Sequence, residues 1–283
     1  MSNNGLFTVT NKDDPENSEE SSLTICNKRI EVEGIILILS CEKHRYTRLK
    51  KCGPEKKNYN GWKVITVIGN LFLDKEYKVE DDFLFIRCED SYIHLLKKLA
   101  LSLKYLNKLF LIKQGILRCG DDLIFNEKLL EEFLKSKKYD FCGKAYCGKN
   151  YTSSDINLLK KTRYDPFMLK YYINHQNELT DIKHNINLTI HELRRFLIRP
   201  NVWGPAGIIY YLSMKSSNII INTMEEVNYN IFHLDEFTNS YPYILEDVGI
   251  TYIMYYNKVP FINNKTFFDN GKQSIALHTN MNK

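Results

Sequence analysis

A chain of 283 residues, 43% hydrophobic and 26% charged, is too apolar for wholesale disorder and long enough for one large α/β domain with an ample core. Its net charge of +5 suits an anionic substrate such as a nucleotide, but it is too small to signal nucleic-acid binding by itself. Seven cysteines, odd in number and without a CxxC pair, point to a reduced, cytosol-like compartment rather than a disulfide scaffold.

Residues 1–28 are polar, acidic and aperiodic, the pattern of a mobile tail. EGIILILSC (33–41) is a short continuous apolar run, the signature of a strand buried on both faces. HRYTRLKK, at 44–51, suits a helix or a loop. WKVITVIG (62–69) is a second buried strand and DFLFIRC (82–88) a third. The helix that follows is expected to be capped by Asp90 or Ser91, with Leu96, Leu99, Leu103 and Leu106 on one face.

LFLIKQGILRC (109–119) is a fourth apolar run, and it leads into RCGDDLIFN (118–126). Asn126 is the expected cap of a helix carrying Leu129, Leu130, Phe133 and Leu134 on one side, and YDFCG (139–143) is a further strand. Strands that alternate with helices in this way predict βαβ units and a mostly parallel sheet. Such sheets bind ligands beyond the carboxyl ends of their strands. Asp121 and Asp122 occupy that position, as does the stretch Ser40–Cys41–Glu42.

The pattern weakens from 144 to about 200, where loops, short helices or an inserted hairpin are expected. WGPAGIIYYLSMKSS (203–217) reads as a Gly/Pro turn opening a helix. YPYILEDVGITYIMYYNKVPF (241–261) reads as a turn, a helix and a closing strand. No internal repeat or linker divides residues 29–283.

Two acid pairs carry the candidate chemistry: Asp121–Asp122 after a strand, and Glu246–Asp247 at a helix start. Sugar transfer from a nucleotide diphosphate needs charge neutralisation at the departing diphosphate, commonly by a divalent ion on carboxylate oxygens. It also needs a base within reach of the acceptor hydroxyl. Each pair has a plainer reading as well. The first can be a solvated turn, and the second can simply complement the helix dipole.

In order along the chain, WKVITVIG, EDDFLFIRCEDSYIHLLKK, GILRCGDDLIFN, WGPAGIIYYLS and ILEDVG resemble the motifs of the inverting β-1,3-glycosyltransferases. That family includes galactosyl- and N-acetylglucosaminyltransferases and the Fringe enzymes. Asp90, Ser91, Tyr92, Leu95 and Lys98 match its D-S-Y segment, with His94 where Asn is usual. Arg118, Asp121, Asp122 and Asn126 match its D-D-D segment, and Glu246, Asp247 and Val248 its E-D-V segment, with Gly249 earlier than the usual Gly.

The resemblance spans about residues 33–280 and implies a single domain of GT-A fold, a Rossmann-like sheet flanked by helices. Residues 29–143 would bind the nucleotide-sugar, and residues 144–283 would supply the acceptor site and the base. It implies a UDP-sugar donor, a glycan acceptor and Mn²⁺ or Mg²⁺. Asp122 would be the metal ligand and Asp121 a donor contact. Asp247 would be the general base, and Glu246 would orient it or the acceptor. His278 in SIALHTN is the candidate second metal ligand or a solvated residue of a polar tail. Ser40, Arg45, Arg48, Asp90, Tyr92 and Lys98 complete the donor-side set; the two arginines only loosely follow the family's pattern and can equally be surface charges. Trp203, Gly204, Gly207 and Tyr210 form the acceptor-side set, although the aromatic residues there, Tyr211 included, can as well pack a helix on the sheet.

Gly120 replaces the first acid of the D-D-D motif, which puts strict metal dependence in question. The family's membrane anchor has no counterpart in the apolar runs. The expectation is therefore a soluble enzyme of the cytoplasm, or of a virion or viral factory, from a bacterium or a large virus. The competing function is a catalytically degenerate GT-A protein that binds sugar or serves as a scaffold.

Overall fold

The computed structural model describes residues 29–90, 92–147, 202–225, 246–269 and 274–279. The expected tail, nearly all of the 144–200 segment and Ser91 lie outside the described residues. The fold is mixed α/β, with a central sheet flanked by helices and compatible with a Rossmann-like architecture.

Strands β1 (Ile30–Leu39), β3 (Trp62–Gly69), β5 (Phe83–Ile86) and β6 (Phe110–Gly120) form a parallel core in the order β5-β3-β1-β6. β1 alternates between two cores. Ile35, Leu37 and Leu39 pack on one side of the sheet, Ile36 and Ile38 on the other, and all five are buried. A strand buried on both faces needs no polar alternation, which is why its sequence is an unbroken apolar run.

The first core is closed by α2 (Leu95–Leu109), α4 (Met214–Glu225) and α5 (Glu246–Tyr256). Leu96, Leu99, Leu103 and Leu106 are almost completely buried along α2. Each such side chain contributes about 1.5–3 kcal/mol, so packing of this face is enough to hold the helix on the sheet. Of the two expected caps, Ser91 lies outside the described residues, and Asp90 accepts from Lys98, Gly69 N–H and Glu42 N–H. A 3₁₀ turn (Tyr92–His94) precedes α2, and His94 at its N-cap makes no side-chain capping bond. The second core is closed by α3 (Glu127–Lys135), through Leu130, Phe133 and Leu134, and by α6 (Lys265–Phe268), through Phe268. Asn126 caps α3 as expected, accepting from Leu129 N–H at 3.2 Å.

The sheet extends beyond its parallel core. β4 (Tyr77–Glu80) pairs antiparallel with β5 at one edge. Beyond β6 come β9 (Trp203–Ser213), β8 (Phe141–Cys147) and β10 (Ile262–Asn263). β9 corrects an expectation: WGPAGIIYYLS is a strand, antiparallel to both β6 and β8, and the helix begins only at Met214. Ile208–Leu212 supply the β-branched and aromatic residues that suit a strand with neighbours on both sides. The closing strand expected within 241–261 does not form there: α5 runs to Tyr256, and the two-residue β10 starts only at Ile262.

Three further short strands fall outside any apolar run. β2 (Asn58–Tyr59) joins β3 through Asn60–Gly61, both with positive φ (51° and 92°), the two-residue turn that Asn-Gly favours. β7 (Leu123–Phe125) and β11 (Ala276–His278) form a separate antiparallel pair, with His278 opposite Leu123.

Candidate functional site

β1 leads through β3 towards one side of the sheet, while β6 lies on its other side. The crevice between the carboxyl ends of β1 and β6 is thus a topological switch point, where open α/β sheets bind ligands. Leu39 pairs with Gly120, so Ser40 and Asp121 leave the sheet side by side. Asp121 is buried and well held. Its Oδ2 accepts from Ser40 Oγ at 2.7 Å and lies 2.7 Å from His44 Nδ1, while Arg48 Nη1 is 3.3 Å from its Oδ1. His44 belongs to the short helix α1 (Glu42–Arg45), and Arg48 opens the 3₁₀ turn that follows it.

Asp122 faces the same crevice with different partners. Its Oδ2 lies 3.0 Å from His278 Nε2 and 3.7 Å from Arg48 Nη1. The β7–β11 pair brings His278 there from the far end of the chain. Thr279 adds two bonds to the Asp122 carbonyl, from its N–H and its hydroxyl, both at 2.9 Å. Gly120 gains a physical reason from this geometry. A Cβ at Gly120 would lie 3.2 Å from Asp122 Oδ1, tighter than ordinary packing allows. A side chain at 120 would therefore press on the Asp122 carboxylate, which would have to shift by a few tenths of an ångström.

The remaining donor-side residues split into two groups. Lys98 is buried; its ammonium donates to Ser40 C=O at 2.8 Å and to Asp90 Oδ1. Asp90 also accepts the N–H of Gly69 at 3.2 Å and of Glu42 at 2.9 Å, so one carboxylate ties together the ends of β3 and β1 and the start of α1. Asp90 and Lys98 thus brace the loop that carries Ser40. Arg45 points elsewhere: its guanidinium carbon sits 5.2 and 5.1 Å from the ring centres of Phe83 and Phe85, and Arg45 Nη1 is 3.6 Å from Glu42. Tyr92 is exposed at the turn before α2.

The second acid pair stands on the other flank of β6. Glu246 is buried and takes the Tyr210 hydroxyl hydrogen bond on Oε1, the atom that also lies 3.0 Å from Arg118 Nε. Arg118 Nε has no hydrogen-bond partner in its own direction, so that contact is chiefly charge attraction, while Nη1 donates to the Gly207 carbonyl. Burial pushes Glu246 up to about 7, against the opposing pull of Arg118 and Tyr210. Asp247 is half-buried at the first turn of α5, where its Oδ1 accepts from Val248 N–H at 3.0 Å.

The acceptor-side residues are arranged around this pair. A Cβ on Gly207 would lie 3.3 Å from Asp247 Oδ2, and a Cβ on Gly204 would lie 1.8 Å from Thr251 Oγ1. Both glycines therefore admit α5 against β9. Tyr210 is 0% exposed, which leaves no ring face for a sugar, and Tyr211 is buried in the second core. Trp203, 63% exposed, is the open aromatic of the set.

The two acid pairs meet at one end of the β6–β9 ladder. Gly120, next to Asp121–Asp122, approaches the Ile208 carbonyl, and Asp247 abuts Gly207. Two participants escape the sequence reading, His44 and Arg118 as the partner of Glu246, and Cys41 enters it only as part of the stretch Ser40–Cys41–Glu42. An arginine inside the apolar run LFLIKQGILRC was the available sign of a buried cation that needs a carboxylate. Cys41, His44 and Asp121 are the group, among the described residues, whose side-chain donor atoms cluster closely enough to hold a metal ion, all within 4.8 Å of one another. Compared with protein-family models and with curated proteins, the chain matches none.

Proposed function

We propose that the chain is an inverting glycosyltransferase of GT-A type that moves a hexose or N-acetylhexosamine from a UDP-sugar to a glycan hydroxyl, with a β-1,3 linkage implied by the motif resemblance. The observation that carries this reading is that the two acid pairs flank one end of the β6–β9 ladder, one beside Arg48 and His278, the other at the start of α5 against Gly207 of β9. Asp247 accepts the proton of the acceptor hydroxyl as its oxygen attacks the anomeric carbon. The bond from that carbon to the diphosphate breaks with inversion, leaving UDP. Arg48 offers positive charge to the departing oxygens. Glu246, anchored by Arg118 and Tyr210, holds the first turn of α5 and so positions Asp247. Trp203 offers an apolar face to the acceptor.

Asp122 and His278 fit a divalent ion: one carboxylate and one imidazole face each other at 3.0 Å, a mixed O and N set that suits Mn²⁺ better than Mg²⁺. An ion held there neutralises charge on the diphosphate. In calorimetry, UDP affinity is expected to rise with Mn²⁺, and Asp122→Ala to remove that gain. Asp247→Asn is expected to abolish transfer while UDP affinity changes by less than about twofold. Full transfer by Asp247→Asn would remove the base, and UDP binding indifferent to Mn²⁺ would remove the ion.

A second reading, a degenerate GT-A protein that binds sugar without turning it over, is favoured by one observation. The Arg48 guanidinium already lies 3.3 Å from Asp121, so a protein cation offsets that acid without an ion. Donor binding with neither transfer nor donor hydrolysis would establish it.

A further inference from the structure

We propose that Cys41, His44 and Asp121 form a binding site for a thiophilic divalent metal, Zn²⁺, with a donor set distinct from that of Asp122 and His278. Cys41 is an extended residue (φ −138°, ψ 161°) that opens α1, and His44 follows three positions later. His44 N–H bonds to the Cys41 carbonyl at 2.9 Å, closing a single turn. A C-x-x-H spacing across such a turn turns both side chains to one side, as in a capping box. The third donor comes from the neighbouring strand end, where Ser40 Oγ holds Asp121.

The donor atoms lie within 4.8 Å of one another. A tetrahedral zinc centre places its sulfur, nitrogen and oxygen ligands about 3.3–3.8 Å apart, so small side-chain rotations suffice. The 2.7 Å bond between His44 Nδ1 and Asp121 gives way to two metal bonds, and the Cys41 thiol releases its proton to solvent. Arg48 on Asp121 Oδ1 then acts as the outer partner that orients the ligating carboxylate. Cys41 and His44 are half-buried, so the metal has an entry path and a fourth position for water. One thiolate, one imidazole and one carboxylate favour Zn²⁺ or Co²⁺ over Mn²⁺ and Mg²⁺. The site does not depend on the glycosyltransferase reading: it stands or falls on metal binding alone.

The test uses the full chain, reduced and freed of metal by chelation. One equivalent of Co²⁺ is expected to give a thiolate-to-metal charge-transfer band, which Zn²⁺ displaces and a large excess of Mn²⁺ does not. Cys41→Ser is expected to lose the band and His44→Ala to weaken Zn²⁺ about tenfold or more. Cys52→Ser, at another half-buried cysteine, is expected to change neither. A band that survives Cys41→Ser, or disappears with Cys52→Ser, would overturn the site, as would failure to bind one equivalent. A further measurement needs no variant: Zn²⁺ should protect Cys41 from alkylation in the native chain, mapped by peptide mass. Unchanged alkylation of Cys41 in the presence of Zn²⁺ would also overturn the proposal.

Discussion

Glu246 and His94 are both sealed from water, and burial moves their titrations in opposite directions. Glu246 rises from an ordinary 4.5 to about 7, because burial outweighs Arg118 and Tyr210. His94 falls from 6.5 to about 4, because burial outweighs the attraction of Glu89, 4.0 Å away. From pH 4.5 to about 7 the folded chain keeps a proton on Glu246 that the unfolded chain gives up, so this residue makes stability fall as pH rises. From about 4 to 6.5 the unfolded chain holds a proton on His94 that the folded chain does not, so this residue makes stability rise with pH. The two slopes oppose each other between pH 4.5 and 6.5. Urea unfolding across that window should therefore show Glu246→Gln gaining stability with rising pH relative to the native chain, and His94→Asn losing it. Each change should be on the order of 1–3 kcal/mol. Each substitution also changes stability by an amount that does not vary with pH, so the slope is the quantity to read. Slopes identical to that of the native chain in both variants would contradict the buried titrations.

At the scale of elements, the seat of α5 on β9 decides where the second acid pair stands. Gly204 lets Thr251 come so close that an added Cβ would overlap its hydroxyl at 1.8 Å and its Cβ at 2.7 Å. Gly204→Ala must push α5 away from the strand. The expected cost is about 2–3 kcal/mol in urea unfolding, with a matching loss of whatever activity depends on Asp247. Thr251→Gly in the same chain clears the overlap and should restore the position of α5, though it adds the cost of a glycine in a helix, about 1 kcal/mol. If Gly204→Ala proves neutral, the helix has room that the structure denies it. The same element exposes a limit of pattern reading. WGPAGIIYYLS begins with turn residues, yet β6 and β8 supply hydrogen-bonding partners on both sides, and that pairing overrides the local Gly/Pro signal.

Over the whole molecule, stability should be greatest where the parallel strands are buried on both faces. β1 lies between β3 and β6 and carries Ile35, Ile36 and Leu37 with no exposed surface. In hydrogen exchange read by mass spectrometry, peptides covering Ile35–Leu39 should exchange last, only through global unfolding, while β4 and β10 at the sheet edges exchange first. Early exchange of β1 would mean that the sheet opens along its centre. The β7–β11 pair belongs to this scale too, because it carries His278 across the sequence to Asp122.

Local pattern by itself determined the strands β1, β3, β5 and β6 and the apolar faces of α2 and α3, because a two-faced core demands unbroken apolar runs and helical spacing from the residues themselves. Tertiary structure alone decided the rest. Asp90 reads in sequence as a residue at a helix start, but the fold makes its carboxylate the counter-charge of the buried Lys98 ammonium and a tie between the ends of β3 and β1. Glu246 and Arg118, far apart in sequence, pair because neither can be buried alone. In RCGDDLIFN the glycine reads as a lost acid when seen as sequence. In the fold it lies where an added Cβ would come within 3.2 Å of the Asp122 carboxylate, a proximity that no pattern of residue types contains.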